Sequence, residues 1–429
     1  MELPRCIICN GPAMKALFNE SPLEFFFLDQ KIYNPNGLVP EGYKVLPLCD
    51  NCYPLLKKGQ SFIKAHLNFV ISPKGGGPRL SFWLIPNVGD PAKANRTFIG
   101  IESGDLKFRD LTSLCEELEL AQELLSNDIS DDPDIAQSLL TFNVLFYNVD
   151  RNGKMRILGS SEGIYPSRLK ELSNISRELA KKYPYFLMKP NKIRFSFPLL
   201  IDFWKRGKGS GWQKDLAELL AKIFIGSRVE ESYIYSILIE HLRASVIGSE
   251  VRRGQSELKE ISTQTLKAML IVEYLQMSNV LNQSISGQHL GITYLNHPMV
   301  DELRKFLNSH TSFIKSGTQR ALCCVGVAFG IALVEQERSI GSTSLWSRLN
   351  RLQLDVERMN QLFPLVVDKL RQYKIRHYDD LIAYIAANEL SNLDLEEAKR
   401  INNDLLNLTF AVGLGEGYII ASKKWEKET

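Results

Sequence analysis

The chain is poor in the patterns that carry covalent chemistry. Its 429 residues hold no Walker-type phosphate loop, no G-x-S-x-G elbow, no H-E-x-x-H pair and no metal-binding His-Asp pair, so no residue pattern supports nucleotide hydrolysis, serine catalysis or zinc proteolysis. Histidine is sparse: His66, His241, His289, His297, His310 and His377 stand apart from one another, and isolated histidines are more often structural than catalytic. Long apolar runs are lacking too. The longest, residues 321–334, is 14 residues, too short for the ~20 that span a bilayer and suited to a buried core helix. The opening Met1-Glu2-Leu3-Pro4-Arg5 lacks the apolar segment of a secretory signal, so a cytoplasmic protein without a membrane partner is expected. Net charge is only +3, but it is unevenly spread. Residues 101–150 hold 2 basic and 12 acidic side chains, and residues 151–260 hold 21 basic and 12 acidic. That asymmetry suits either one face turned to a polyanion or simply two solvated faces.

What is present begins with cysteine. Cys6-Ile7-Ile8-Cys9 and Cys49-Asp50-Asn51-Cys52 form two C-x-x-C pairs with 39 residues between them. Four thiolates at about 2.3 Å around one ion are what a structural Zn2+ prefers, and two tight knuckles can supply them. Gly11, Pro12, Pro47 and Pro54 are turn-formers that bend the backbone around such an ion. Cys6, Cys9, Cys49 and Cys52 are therefore the expected metal ligands, with a disulfide or redox pair as the alternative. Four thiolates leave no open coordination position, so this metal closes a core and performs no chemistry. Cys115, Cys323 and Cys324 lie in apolar sequence and are expected to be buried and inert.

A composition of 44 % apolar and 24 % charged residues is that of a globular protein of two or three domains. The interval between the cysteine pairs is long enough for a strand at Glu24-Phe25-Phe26-Phe27-Leu28. A helix follows over residues 53–67, then a hairpin of residues 68–71 and 80–85 around Pro73-Lys74-Gly75-Gly76-Gly77-Pro78. Residues 112–141 read as an acidic helical stretch broken by Asp131-Asp132-Pro133-Asp134. A second hairpin pairs 142–149 with 155–158 across Asp150-Arg151-Asn152-Gly153. Helices are expected over 166–182, 212–225, 230–247, 257–283, 311–338, 355–373 and 393–411. The fold class is thus α+β, mainly α: a zinc-ribbon-containing α/β N-terminal part followed by a C-terminal helical bundle. The expected divisions are a zinc module over 1–66, a mixed α+β domain over 67–298 and the bundle over 299–429.

Two basic stretches interrupt the helices. Trp204-Lys205-Arg206-Gly207-Lys208-Gly209-Ser210-Gly211-Trp212 combines cations, glycines and flanking tryptophans, a mix that lets a backbone approach a phosphodiester chain. Residues 248–255, with Arg252 and Arg253, form a shorter version. A solvated linker is the alternative in both cases. In residues 316–378, 9 basic side chains outnumber 5 acidic ones. Arg320, Arg348, Asn350, Arg351, Lys369 and Arg371, with Lys374 and Arg376 beyond, are candidate phosphate contacts, again against a merely solvated face. Gly341-Ser342-Thr343 is expected to start a helix whose free N–H groups also suit a phosphate.

Several stretches together resemble one family. Cys6-x-x-Cys9, Phe25-Phe26-Phe27-Leu28-Asp29-Gln30-Lys31, Leu46-Pro47-Leu48-Cys49-Asp50-Asn51-Cys52 and the Gly59-containing helix are similar to the zinc region of the CRISPR-associated large subunit of type I-B Cascade complexes. Ile164-Tyr165-Pro166-Ser167-Arg168-Leu169 matches it as well. The most specific part is residues 326–375, where Glu335-Gln336-Glu337, then residues 341–350, Leu362-Phe363-Pro364 and residues 368–373 follow in the family's order; residues 410–417 resemble its closing helix. The resemblance implies a non-catalytic subunit of a crRNA-guided complex. Its partners would be the backbone and repeat-end subunits that carry the crRNA, a small subunit, target double-stranded DNA, and a nuclease-helicase or transposition proteins. The bundle would resemble the small subunit, with Met277 and Met299 as candidate internal starts. Family members carry a longer segment ahead of the first cysteine pair, and a compact variant from an RNA-guided transposition system would account for the difference. The rival readings are a free-standing zinc-ribbon nucleic-acid adaptor and a cryptic metal-dependent nuclease.

Overall fold

Helix α1 (Cys52–His66) grows directly out of the second cysteine pair, with Pro54 in its first turn, where a missing N–H costs nothing. In the computed structural model the described residues are 5–13, 47–73, 78–88, 140–149, 155–182, 195–208, 211–250, 255–281, 297–340 and 344–423. The expected strand at Glu24–Leu28, most of the acidic stretch 112–141 with Cys115, the loop with Arg252 and Arg253, and Gly341-Ser342-Thr343 lie outside them. Described residues divide into two compact units, Met1–Ser173 with Gln213–Ile225, and Asn174–Trp212 with Gly226–Thr429. These limits do not coincide with the divisions at 66/67 and 298/299 expected from sequence.

The first unit is built on a four-stranded antiparallel sheet in the order β1 (Asn68–Ile71), β2 (Leu80–Val88), β3 (Leu140–Val149), β4 (Met155–Ile164). Both expected hairpins are present, and β2 pairs with β3 to join them, with Phe82 opposite Phe146. Alternation along the strands assigns the two faces. Phe69, Phe82 and Phe146 form a row with ring centroids 5.5 and 5.6 Å apart, closed at 6.3 Å by Phe224. Phe224 belongs to α4 (Trp212–Ile225), whose Ala221 carbonyl accepts from Ser161 Oγ at 2.9 Å. On the other face Trp83, Tyr147 and Met155 pack with Ile63 of α1. Helix α2 (Pro166–Lys182) follows β4, and its Arg168 guanidinium donates twice to the Ile223 carbonyl at 3.2 and 2.8 Å.

The second unit is helical. It comprises α3 (Phe197–Lys208), α5 (Glu231–Glu250), α6 (Gln255–Met277), α7 (Pro298–Ser309), α8 (Gly317–Ile340), a 3-10 segment (Ser344–Leu352), α9 (Val356–Gln372), α10 (Asp379–Tyr384), a π-turn (Ile385–Glu389), α11 (Leu395–Arg400) and α12 (Asn403–Ser422). Its centre is the α8–α12 pair. A methyl group on Gly326 or Gly330 would collide with backbone of Phe410 or Leu414, and one on Gly413 or Gly417 with backbone of Cys323 or Val327. The absence of side chains at these four positions lets the two backbones touch. Both helices are long and apolar enough to cross a bilayer, contrary to the expectation from the 14-residue run, yet 89 % and 83 % of their most apolar stretches are buried inside the unit. Cys323 and Cys324 are fully buried there.

The helices differ from the expected set where a capping side chain intervenes. His297 accepts from the Met299 amide and starts α7 ahead of Pro298, a helix outside the expected set, and the helix expected from residue 311 begins instead at Gly317, after the connection over 310–316. Asn402 accepts from the amides of Asp404 and Leu405, splitting the expected 393–411 helix into α11 and α12. Helix α6 is joined to α12 by Ser262 Oγ, which donates to the Gly415 carbonyl at 2.9 Å. The division at 298/299 would therefore cut through one packed unit.

Candidate metal centre and nucleic-acid interface

The first cysteine knuckle is closed by backbone hydrogen bonds from the Cys6 amide to Gly11 O at 2.7 Å and from the Asn10 amide to Cys6 O at 2.9 Å. Asn10 turns the chain at φ 61°, a left-handed position that asparagine tolerates better than most residues. The first knuckle meets the approach to the second pair through the Ile7 amide, which donates to Pro47 O at 3.0 Å, and the second pair is tied to the start of α1 by the Tyr53 amide, which donates to Cys49 O at 3.1 Å. The result is convergence of four sulfurs: the Sγ atoms of Cys6, Cys9, Cys49 and Cys52 all lie within 4.8 Å of one another, and Cys9 and Cys49 are 3.5 Å apart. A tetrahedron with arms of about 2.3 Å has edges of about 3.8 Å, so this donor set fits a single ion held by four sulfurs.

The electrostatics point the same way. The Cys6 thiol is drawn down to about 6, chiefly by the Cys9 amide, with those of Ile8 and Cys49 adding, against the effect of burial. Cys49 is lowered first by the Cys52 amide. The first cysteine of each pair thus receives the amide of the second, and an N–H aimed at sulfur favours the thiolate. Cys52 moves the other way, to about 12, because burial and the neighbouring cysteine sulfurs oppose another negative charge. A cation among the four removes that conflict and lets all of them ionise.

The structure sorts the candidate nucleic-acid contacts. Arg320 is committed internally: its guanidinium makes a bidentate pair with Glu389 at 2.6 and 3.0 Å and donates to Asn308 at 3.2 Å. Glu389 is buried, lies at the end of the π-turn and also accepts from Tyr384 OH at 2.8 Å. Arg320 therefore braces the unit and is corrected from a phosphate contact to a structural cation. The loop expected from residue 204 is corrected over 204–208, because α3 continues through Lys208. Leu200, Ile201, Phe203 and Trp204 bury one face and carry the helix past Trp204, and Gly211, at φ 86°, starts the turn into α4. Lys205 is exposed on the last turns of α3, and Arg206 and Lys208 share that helix.

Arg348 is exposed in the 3-10 segment, which also carries Asn350 and Arg351. That segment ends at Leu352, held at φ 57° with its carbonyl accepting from Arg243 Nε at 3.2 Å. Two residues on, Asn407 brackets Leu354 by accepting from its amide at 3.0 Å and donating to its carbonyl at 2.9 Å. Arg371, Lys374 and Arg376 are exposed at the C-terminal end of α9, with half-buried Lys369 donating to Gln372 at 2.9 Å. Lys374 occupies φ 59°, its amide donating to Arg371 O and the Ile375 amide to Leu370 O, both at 3.0 Å. This is a Schellman turn with lysine in the place glycine favours. The backbone state of Lys374 and the bond between Arg320 and Glu389, 69 residues apart, left no mark in the local sequence pattern.

The fold and site define a mainly helical α+β protein with an all-cysteine cradle that could hold a metal ion. A family model described as CRISPR-associated protein TM1802 (cas_TM1802) central domain matches residues 4–164, and the C-terminal domain model of the same family matches residues 195–428. The chain belongs to this CRISPR-associated protein family. No curated protein and no solved structure matches it.

Proposed function

We propose that the chain is the large, non-catalytic subunit of a crRNA-guided, type I-B Cascade-like complex in the cytoplasm, with a structural Zn2+ held by Cys6, Cys9, Cys49 and Cys52. The single observation that carries this reading is that two domains of one CRISPR-associated family match in order, one over the cysteine-bearing half and one over the helical half. In such a complex, guide RNA reads the target by pairing, while protein holds the flanking duplex and the opened strands. Lys205 is offered for the duplex; Arg348, Arg371, Lys374 and Arg376 are offered for single strand, each exposed where a phosphate can reach it. Crossing to the neighbouring subunits, to a nuclease-helicase or to transposition proteins would occur on faces of the same assembly.

The test has two arms. The chain purified from its host should bring with it small RNA with repeat-derived ends; a protein that copurifies without such RNA is an adaptor acting alone, and the reading is abandoned. In the assembled complex, Arg348→Ala with Arg371→Ala should weaken target binding at every sequence and flatten the dependence of log K on log salt by about 0.7–0.9 per lost contact. An unchanged slope removes these residues from the interface.

A further inference from the structure

The four sulfurs of the cysteine cradle are not equally reachable. Cys6 and Cys52 are buried, 2 % and 5 % exposed, whereas Cys9 is exposed and Cys49 half-buried. Each C-x-x-C pair therefore joins a shielded cysteine to one open to water, and the two open ones belong to different knuckles. They are also close neighbours, with Cys9 Sγ 3.5 Å from Cys49 Sγ. Gly11 helps to keep Cys9 open: it has no side chain, and a methyl group there would lie 3.4 Å from Cys9 Sγ. A site that served only to hold an ion would gain from burying all four sulfurs, since a thiolate is a nucleophile as well as a ligand. Elsewhere among the described residues, Cys323 and Cys324 are fully buried, and burial pushes both thiols up, so they offer a dissolved oxidant neither access nor a thiolate.

We propose that Cys9 and Cys49 form a peroxide-oxidation site, whose product is a disulfide across the two knuckles and a released ion. The inference goes beyond the nucleic-acid role and rests on the Zn2+ assignment above only for the released ion. The Cys9 thiolate attacks one peroxide oxygen; the S–O bond forms, the O–O bond breaks and hydroxide leaves, so the sulfur becomes a sulfenic acid and the peroxide is reduced. The Cys49 thiolate then attacks that sulfur; the S–S bond forms, the S–O bond breaks and a second hydroxide leaves. Two protons convert the two hydroxides to water, and the two electrons come from the two sulfurs. An S–S bond is about 2.0 Å long, so only a short movement separates these neighbours from the bonded pair. Cys6 and Cys52 alone then hold the ion too weakly to keep it. The choice of pair matters. A disulfide inside Cys6–Cys9 or Cys49–Cys52 would leave the knuckles unjoined, whereas Cys9–Cys49 ties the first knuckle to the start of α1 in the ion's place.

The full chain, loaded with Zn2+, is treated with an equivalent of hydrogen peroxide. Free thiols are alkylated, the disulfide is located by peptide mass mapping without reduction, and released metal is read with a colour-forming chelator. A single disulfide is expected for each ion released, joining Cys9 to Cys49, with alkyl groups on Cys6, Cys52, Cys323 and Cys324; dithiothreitol should restore metal binding. Gly11→Ala, which covers Cys9, should slow disulfide formation and metal release severalfold at unchanged metal affinity. After oxidation, residues 5–13 should keep their protection from hydrogen exchange although the ion has gone, unlike the reduced chain stripped by a chelator. A disulfide within either C-x-x-C pair, modification of Cys323 or Cys324 ahead of Cys9, or metal retained with no disulfide overturns the proposal. So do equal rates in Gly11→Ala and the parent, or exchange at residues 5–13 as fast as in the chelated chain. A chain that binds no metal defeats the Zn2+ assignment instead, and the same mapping on that chain still decides whether Cys9 pairs with Cys49.

Discussion

In the helical unit, α8 and α12 touch backbone to backbone because Gly326, Gly330, Gly413 and Gly417 have no side chains to keep them apart. In the cysteine-bearing unit, among the described residues, the cluster that joins the first knuckle to α1 is small, with Cys6, Leu48 and Cys52 buried in it. One region is held by a long continuous contact, and in the other four sulfurs converge on a cradle that fits a cation. The difference teaches where each region can be broken: the first by adding a single methyl group, the second, on the proposed reading, by removing the ion without touching a residue.

Chelation should have the largest effect. Metal held by four thiolates contributes on the order of 10 kcal/mol of folding free energy in small domains, so a strong chelator should expose the amides of residues 5–13 and the first turns of α1 to hydrogen exchange. Amides in α8 and α12 should keep their protection. If those helices exchange as well, the two regions are not separately held and the contrast collapses.

Gly413→Ala is the matching test of the helical unit. The new methyl would run into the Cys323 carbonyl, and two packed helices cannot both keep their places; destabilisation of about 4 kcal/mol or more is expected from denaturant unfolding. Gly415→Ala, two residues on, is the control, since its methyl would sit 3.4 Å from Ser262, and it should cost far less. Equal effects would mean that α12 can shift, and that the close approach is not what holds it.

Glu416 sharpens the picture of the same helix. Burial, and then Glu302, push its carboxyl up to about 8, with Lys423 opposing, and one of its oxygens has no hydrogen-bond partner. The folded state therefore keeps a proton that the unfolded chain loses near pH 4.5. Between these values folding binds protons, and stability falls as pH rises, by up to about 1.4 kcal/mol per unit. Glu416→Gln should remove much of that slope and leave the protein more stable at pH 8 than the parent. A parent whose stability does not change between pH 5 and 8 would show that the carboxyl is not held neutral.

Much of this was legible in the sequence where the signal is local. The two C-x-x-C pairs converge; α2 and α4 have the expected limits; and strand alternation with turn residues located both hairpins. The sequence was silent where distant residues decide. Nothing in the sequence near Arg320 indicates Glu389, so a buried brace and a free phosphate contact look alike until the chain is folded. Residues 204–208 were misread as loop because glycine and lysine signal one, while the apolar face ending at Trp204 is a tertiary instruction to remain helical. Gly326 and Gly413 are ordinary helix glycines in sequence and acquire meaning only from each other.

The smallest expected effect concerns a residue that runs against that glycine logic. Lys374 sits in left-handed backbone at φ 59° in the turn that closes α9, where a side chain costs about 1 kcal/mol relative to glycine. Lys374→Gly should therefore raise stability by about 0.5–1 kcal/mol. If its ammonium also meets the strand, the same substitution should lower the salt slope of nucleic-acid binding by about 0.7–0.9. A gain in stability with unchanged binding would leave the strain unexplained by function. A loss of stability would show that Lys374 makes a contact in the folded unit that outweighs the strain, and the cation would then belong to the fold, as Arg320 does.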